Sequence, residues 1–319
     1  MSRKAKPLIS VVIPVYNQAH RITHSIESVL EQEFDDYEII ISDDGSTDNL
    51  MEVLSSYEDR IRVVQGPNSG CATARTRAIQ SARGIFIANH DSDDLMLPGR
   101  LAAQANFLLE HPEVVVVSGN VIIEGDEQTN YFEKWGVNFD GKPWVIFERP
   151  FAKLLARNFM TDGASMYRRE KFLEIGGYDL TFRRSADWNL WLRMSRKWPL
   201  ACMNKPCTWV GKHEGNRRIS SVEIICNLRI ILQGMSFNEP LDTPTRKVVL
   251  DRMAQEARSY LFRFFTETPI PEGKHYFLKA VNYLPWSYRI FFSVMTCLPR
   301  SVVDPTLVGV QRIRNRLRK

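Results

Sequence analysis

An α/β fold is predicted: a Rossmann-like, mostly parallel sheet flanked by helices, with a helical C-terminal extension. Three observations predict it. Short β-branched runs alternate with helix-length amphipathic stretches through the first third of the chain, the mark of βαβ units. Those runs show no polar alternation, as expected of strands covered on both faces. Polar residues gather just after each run, where open parallel sheets bind ligands. At 319 residues there is room for one large domain with an appendage, or for two domains.

In chain order, residues 8–13 read as the first strand, and Ile22, Ile26, Val29 and Leu30 mark one face of a helix. A second strand at 38–41 precedes a short helix near 50–54, and a third strand spans 61–64. Ala72, Ala74, Ala78 and Ala82 mark a closely packing helix, before a strand at 85–88. A helix from 98 to 109 and a strand at 114–117 come next. Between 120 and 160 the pattern weakens around Tyr131, Phe132, Trp135, Trp144 and Phe147, so a mobile or irregular insertion is expected. Residues 163–167 read as a strand, 187–196 as a helix, and the chain beyond 222 as helical. The expected domains are 1–220, with halves at 1–118 and 119–220, and an extension over 221–319.

Hydrophobic content of 44% and charged content of 25% belong to a folded soluble protein. No uncharged apolar stretch reaches the roughly 18 residues of a membrane span. The first apolar run stops at Pro14, too short for a signal peptide. Cys71, Cys202, Cys207, Cys226 and Cys297 form no metal-type spacing and cannot all pair, so reduced thiols in a cytoplasmic protein are expected. Net charge is +5, yet residues 276–319 alone hold eight basic side chains against the single acid Asp304. That tail joins an aromatic-rich run (Phe277, Trp286, Tyr288, Phe291, Phe292) to Arg312, Arg314, Arg316, Arg318 and Lys319. Two readings stay open: docking on an anionic membrane surface at the inner face of the cell membrane, or a helical subdomain with a solvated basic end. Nucleic acid is not an expected partner, because the aromatics lie apart from the arginine run.

Asp91-Ser92-Asp93-Asp94 carries the most chemistry. It follows the apolar run 84–90, and carboxylates crowded at a buried strand end repel one another and resist desolvation. A hard divalent cation would relieve that cost; a polar turn opening the next helix is the other reading. Pro14-Val15-Tyr16-Asn17-Gln18 stands where a dinucleotide fold would carry Gly-x-Gly-x-x-Gly, so a Rossmann dehydrogenase is unexpected. Tyr16 and Asp43, at neighbouring strand ends, suit a base platform and an acceptor for a base or ribose. Singly, they suit a boundary aromatic and a tight turn.

The motifs Ile9-Ser10-Val11-Val12-Ile13-Pro14-Val15-Tyr16-Asn17, Ile41-Ser42-Asp43-Asp44-Gly45-Ser46-Thr47-Asp48, Asn68-Ser69-Gly70-Cys71-Ala72-Thr73-Ala74-Arg75 and Asp91-Ser92-Asp93-Asp94 occur in that order. They resemble the family 2 glycosyltransferases with the GT-A fold, over residues 8 to about 220. The resemblance implies a donor nucleotide site of Pro14, Tyr16, Asn17, Asp43, Asp44, Asn68, Gly70, Arg75, Asp91 and Ser92. It sets Asp43 on a uracil-type base edge, Arg75 near the diphosphate or the acidic cluster, and Asp91 toward ribose or sugar. It implies a divalent ion, Mn2+ or Mg2+, on Asp93, with His213 completing the metal or diphosphate site. Gly176-Gly177-Tyr178-Asp179 with residues 185–193 is similar to the family's acceptor-side segment, which makes Asp187 the catalytic base. Ala186 departs from that pattern, where Glu is usual. Asp162 and Trp188 are the implied acceptor contacts, though core packing is the plainer use of Trp188. The implied activity is inverting transfer from a nucleotide-sugar, a UDP-sugar foremost, to a hydroxyl of a glycan or lipid-linked glycan. Two rivals stay open: a sugar-nucleotide pyrophosphorylase on a related fold, which would need a Gly-rich, Arg/Lys-bearing loop after the first strand that this sequence does not show, and a non-catalytic nucleotide-sugar-binding or scaffold protein that keeps the pocket.

Overall fold

β1 (Ile9–Val15) is buried along its whole length. β2 (Tyr37–Asp43) and β4 (Phe86–Asn89) flank it in parallel, and β3 (Ile61–Gln65) extends the sheet beyond β2. Three helices make the connections: α1 (Ala19–Leu30), α2 (Leu50–Ser55) and α3 (Cys71–Ser81). Ile22, Ile26 and Val29 of α1 are buried, as their spacing of three and four requires of one helical face. Val15 pairs with Asp43 and Val12 with Asn89, which brings the polar ends of three strands to one edge of the sheet. The computed structural model describes residues 6–211, 220–237, 240–266, 271–286, 288, 289 and 292.

The second half adds β5 (Leu95–Met96), α4 (Arg100–Glu110), β6 (Val116–Ile123), α5 (Tyr131–Lys134), β7 (Trp144–Phe147) and α6 (Phe151–Ala156). A 3-10 turn at Asp162–Ala164 leads into β8 (Ser165–Arg168), α7 (Arg169–Glu174), α8 (Ala186–Ser195) and β9 (Leu200–Val210). The strand order is β3-β2-β1-β4-β8-β6-β9-β5, with β7 also paired to β9. β8 runs antiparallel to both β4 and β6, whereas β6 and β9 are parallel. The sheet is thus mostly parallel, as predicted. Its core joins Ile9, Val11, Ile13, Ile39, Ile41 and Phe86 of the strands to Leu101 and Leu108 of α4. Each such side chain contributes about 1.5–3 kcal/mol when fully buried.

Residues 120–160 correct the expected irregular insertion. They hold α5, β7 and α6, with Phe132, Phe139 and Leu154 buried. β9 also lacks a sequence counterpart. Asn204-Lys205-Pro206 interrupts its apolar pattern, and Pro has no N–H for a ladder. The structure absorbs the interruption through register shifts between Gly119 and Val121 of the neighbouring β6.

The chain divides into two units, Met1–Arg217 and Arg218–Lys319. The second contains α9 (Ser221–Ser236), α10 (Thr243–Thr266) and α11 (Pro271–Tyr283), the helical content expected there. Ser220 caps α9, its Oγ accepting from the Glu223 N–H at 3.1 Å. Among the described residues, no helix is long and apolar enough to cross a membrane. The arginine run at 312–319 lies outside the described residues.

Candidate active site

Past β1, Tyr16 is 46% exposed and Asn17 takes a left-handed φ of +52°. Asn17 Oδ1 accepts from the Thr47 N–H at 2.8 Å, and its own N–H donates to Ser46 Oγ at 3.0 Å. Asp43 is buried; its carboxylate accepts from the Ser46 N–H at 2.8 Å and from Gln65 Nε2 at 3.2 Å. A carboxylate offers about four acceptor positions, so Asp43 keeps capacity for a ligand. Tyr16, Asn17 and Asp43 therefore meet at adjacent strand ends, above buried Pro14. Asp44 does different work: it accepts from the Ser69 and Gly70 N–H groups at 3.1 and 2.7 Å. That fixes the loop before α3, where exposed Gly70 adopts φ +91° and Asn68 is also exposed.

Arg75, on α3, is the hub of the acidic cluster. Its guanidinium pairs with Asp162 at 2.5 Å and with Asp91. Asn89 Nδ2 donates to Asp162 at 2.7 Å and to the Tyr178 hydroxyl at 2.8 Å. The Tyr178 hydroxyl donates in turn to Asp162 at 2.9 Å, and the Tyr167 hydroxyl donates to Asn89 Oδ1 at 3.1 Å. Burial alone would lower the proton affinity of Arg75, but Asp162 and Asp91 keep it charged, well above its ordinary value. Burial raises Asp91, with Arg75 opposing and Asp93 adding to the rise. Burial, then Asp91 and Asp93, push Asp94 up to about 9. Ser92 is buried, and its hydroxyl donates to Gln18, which holds the turn to α1.

Two residues bring these segments together. A Cβ on Gly163 would lie 2.5 Å from Asp91 Oδ2, so only glycine lets the 3-10 turn approach so closely. Arg100 is wholly buried and donates to the carbonyls of Gly163 (2.8 Å) and Asn89 (2.7 Å) and to Thr208 Oγ1 (3.0 Å). One guanidinium thus ties the turn to the ends of β4 and β9.

Asp187 lies in the first turn of α8, behind Ser185 at φ +56°. Asn158 Nδ2 donates to Asp187 Oδ2 at 3.1 Å, while Asn158 Oδ1 accepts from the Met160 N–H at 3.2 Å. The second bond assigns the amide orientation required by the first. Burial, then Asp162, push the Asp187 carboxyl up to about 7, against the Trp188 N–H, Arg75 and Asn158. The side chain is nonetheless partly exposed, and Asp162 and Arg75 tie it electrostatically to the cluster at the end of β4.

Two expected acceptor contacts lie in the interior. Trp188 is 3% exposed and its indole N–H donates to the Leu154 carbonyl at 2.7 Å, so it packs α8 against α6. Asp162 is buried and occupied by Arg75, Asn89 and Tyr178. His213 lies outside the described residues. Among the described residues, no group of three or more His, Cys, Asp or Glu side chains could hold a metal alone. The acidic turn still fits a hard cation bound with few protein ligands: burial and mutual repulsion lift Asp91 and Asp94, and half-buried Asp93 contributes to both. Bound positive charge relieves that condition.

Asn89, Asn158, Arg100 and Gly163 are not singled out by the sequence, and Tyr178 stands in the Gly176-Gly177-Tyr178-Asp179 motif without a role of its own. Asn89 has a signal, as a polar residue in an otherwise apolar buried strand. Asn158 and Arg100 have none, because each acts across tens of residues.

Residues 10–176 match the family described as Glycosyl transferase family 2, and the chain belongs to that family. It is 30% identical over 192 residues to an uncharacterized glycosyltransferase of Rickettsia typhi, covering 60% of this chain and 59% of that one. It is 26% identical over 264 residues to a chondroitin synthase of Pasteurella multocida, covering 80% of this chain and 26% of the synthase. The chain therefore spans less than two thirds of either relative. Residues 1–349 of S. aureus TarS, in complex with UDP, share the fold at a TM-score of 0.67 and 17% identity, over 90% of this chain and 86% of that one. The expected family and GT-A architecture both hold.

Proposed function

We propose that residues 1–220 form a GT-A catalytic domain, with a nucleotide-binding half to about 118 and an acceptor half beyond it. The domain transfers a sugar, with inversion, from a nucleotide-sugar, a UDP-sugar foremost, to a hydroxyl of a glycan or lipid-linked glycan. One observation carries the reading: partly exposed Asp187, its carboxyl at about 7, is held by Asn158 and coupled to the Arg75–Asp91–Asp162 cluster. The UDP bound to TarS and the name of the synthase relative support the donor and acceptor classes.

A base whose pKa lies near the working pH is the most effective kind, and contributes about 10²–10⁴ in rate. The acceptor O–H passes its proton to Asp187 as its oxygen bonds to the anomeric carbon. The bond from that carbon to the donor diphosphate breaks, and its electron pair leaves on the diphosphate oxygen. With base and leaving group on opposite faces, this single displacement inverts the centre. Tyr16 and Asp43 receive the nucleoside; Arg75 holds Asp91 in place. Asp93 would hold a divalent ion, Mn2+ or Mg2+, which when bound supplies positive charge against the departing diphosphate. Asp187→Asn is expected to lower transfer by at least about 10²-fold while UDP still raises the melting temperature as in the wild type. An Asp187→Asn chain with wild-type turnover would refute the assignment.

A further inference from the structure

Asp43 and Gln65 end neighbouring strands in the same register, Asp43 of β2 opposite Gln65 of β3. Paired positions on adjacent strands project their side chains to one face of a sheet. Here the two meet, with Gln65 Nε2 at 3.2 Å from Asp43 Oδ2. A carboxylate only accepts, so the amide must turn its NH2 group, not its oxygen, toward Asp43. One of the two amide hydrogens is used in that bond, and the other has no partner among the described residues. Asp43 is buried and Gln65 exposed, so a buried acceptor stands beside an accessible donor.

The pair is also held still. The Asp43 carbonyl accepts from the Gly66 N–H at 3.1 Å and from Arg77 Nη1 at 3.0 Å. The Arg77 guanidinium lies so close over Gly66 that no Cβ would fit there. On its other oxygen the Asp43 carboxylate accepts from the Ser46 N–H at 2.8 Å. Tyr16, past the end of the adjoining β1, is exposed and makes no hydrogen bond or ring contact among the described residues.

An acceptor beside a donor matches an N–H beside a carbonyl, which is the edge uracil presents at N3 and its flanking oxygens. Cytosine has an unprotonated nitrogen at that position, and its lone pair would face the carboxylate. A site built to hydrogen-bond such an edge rejects the analogue that lacks it, because its own polar groups are then left unpaired.

We propose that Gln65 is a specificity-determining residue for the donor base: Asp43 accepts from the imide N–H, and the second Gln65 amide hydrogen donates to a carbonyl oxygen beside it. The preference for uracil over cytosine then belongs to the pair and not to Asp43 alone. This rests on the reading of Tyr16 and Asp43 as the nucleoside site.

The test is calorimetric binding to the full chain, with Mn2+, of UDP, 4-thio-UDP, 2-thio-UDP and CDP. Sulfur accepts hydrogen bonds poorly, so each thio analogue weakens one carbonyl position and leaves the N–H in place. The wild type should bind UDP about fivefold more tightly than one of the two thio analogues, and that analogue identifies the oxygen Gln65 reads. CDP should bind at least about tenfold more weakly than UDP. Gln65→Met, close in size but without a donor, should weaken UDP about fivefold and erase its advantage over that analogue. Equal wild-type affinity for UDP and both thio analogues, or CDP binding as tightly as UDP, would overturn the proposal. So would a Gln65→Met chain that loses UDP and both analogues by one common factor, since Gln65 would then serve the ribose or the loop. Absence of UDP binding to the wild-type chain would instead strike the reading of the nucleoside site, and the proposal with it.

Discussion

Two opposing effects set the proton affinity of Asp187: burial and Asp162 raise it, while Asn158 and neighbouring donors lower it. Asn158→Ala removes a donor to the ionised form. The rising limb of kcat/KM against pH, expected near 7 in the wild type, should then move alkaline by on the order of one unit. A lower kcat with an unmoved limb would make Asn158 merely structural. The same shift has a stability consequence. A carboxyl held at about 7 in the folded chain and about 4 when unfolded binds more protons when folded, so stability falls as pH rises through that window. Asp187→Asn should therefore raise the melting temperature at pH 8 relative to the wild type, with little difference at pH 4; equal melting temperatures at pH 8 would contradict this. Asp43, Asp91, Asp93 and Asp187 are legible because each stands in a local motif. Asn89 does not, and the motif that holds Tyr178 gives it no role, since their hydrogen bond joins positions 89 residues apart, and no local pattern encodes such a pairing.

At the scale of elements, legibility follows burial. β1, β2 and β4 carry buried apolar runs and stand where those runs predict them. β7 is a four-residue edge strand and β9 contains Pro206, so neither offers a clean period of two. The 3-10 turn at Asp162–Ala164 depends on contacts that only the fold creates. Gly163→Ala tests it: the added methyl must displace Asp91 or the turn itself. Overpacking of this kind costs about 1–3 kcal/mol, which urea unfolding should register together with weaker UDP binding. An unchanged urea midpoint would show that the turn relaxes freely.

For the whole molecule, the charge asymmetry is the feature with the widest reach. Phe277 is buried in the helical unit, 5.3 Å from the Tyr260 ring centroid, so part of the aromatic run is core. Trp286, by contrast, is 74% exposed. If the basic end meets anionic lipid, each arginine contributes about 1 kcal/mol. The full chain should then float with phosphatidylserine vesicles, and replacing Arg312, Arg314, Arg316 and Arg318 by Gln should abolish flotation; equal flotation of both would contradict the membrane reading. The proposed catalysis belongs to the first unit, and a crystal structure with UDP and Mn2+ tests it most directly. The uracil ring should lie between Tyr16 and Asp43, the metal on Asp93, and the Asp187 carboxylate should face the space beyond the β-phosphate. UDP bound elsewhere, or Asp187 turned away from that space, would contradict the assignment of this cleft as the transfer site.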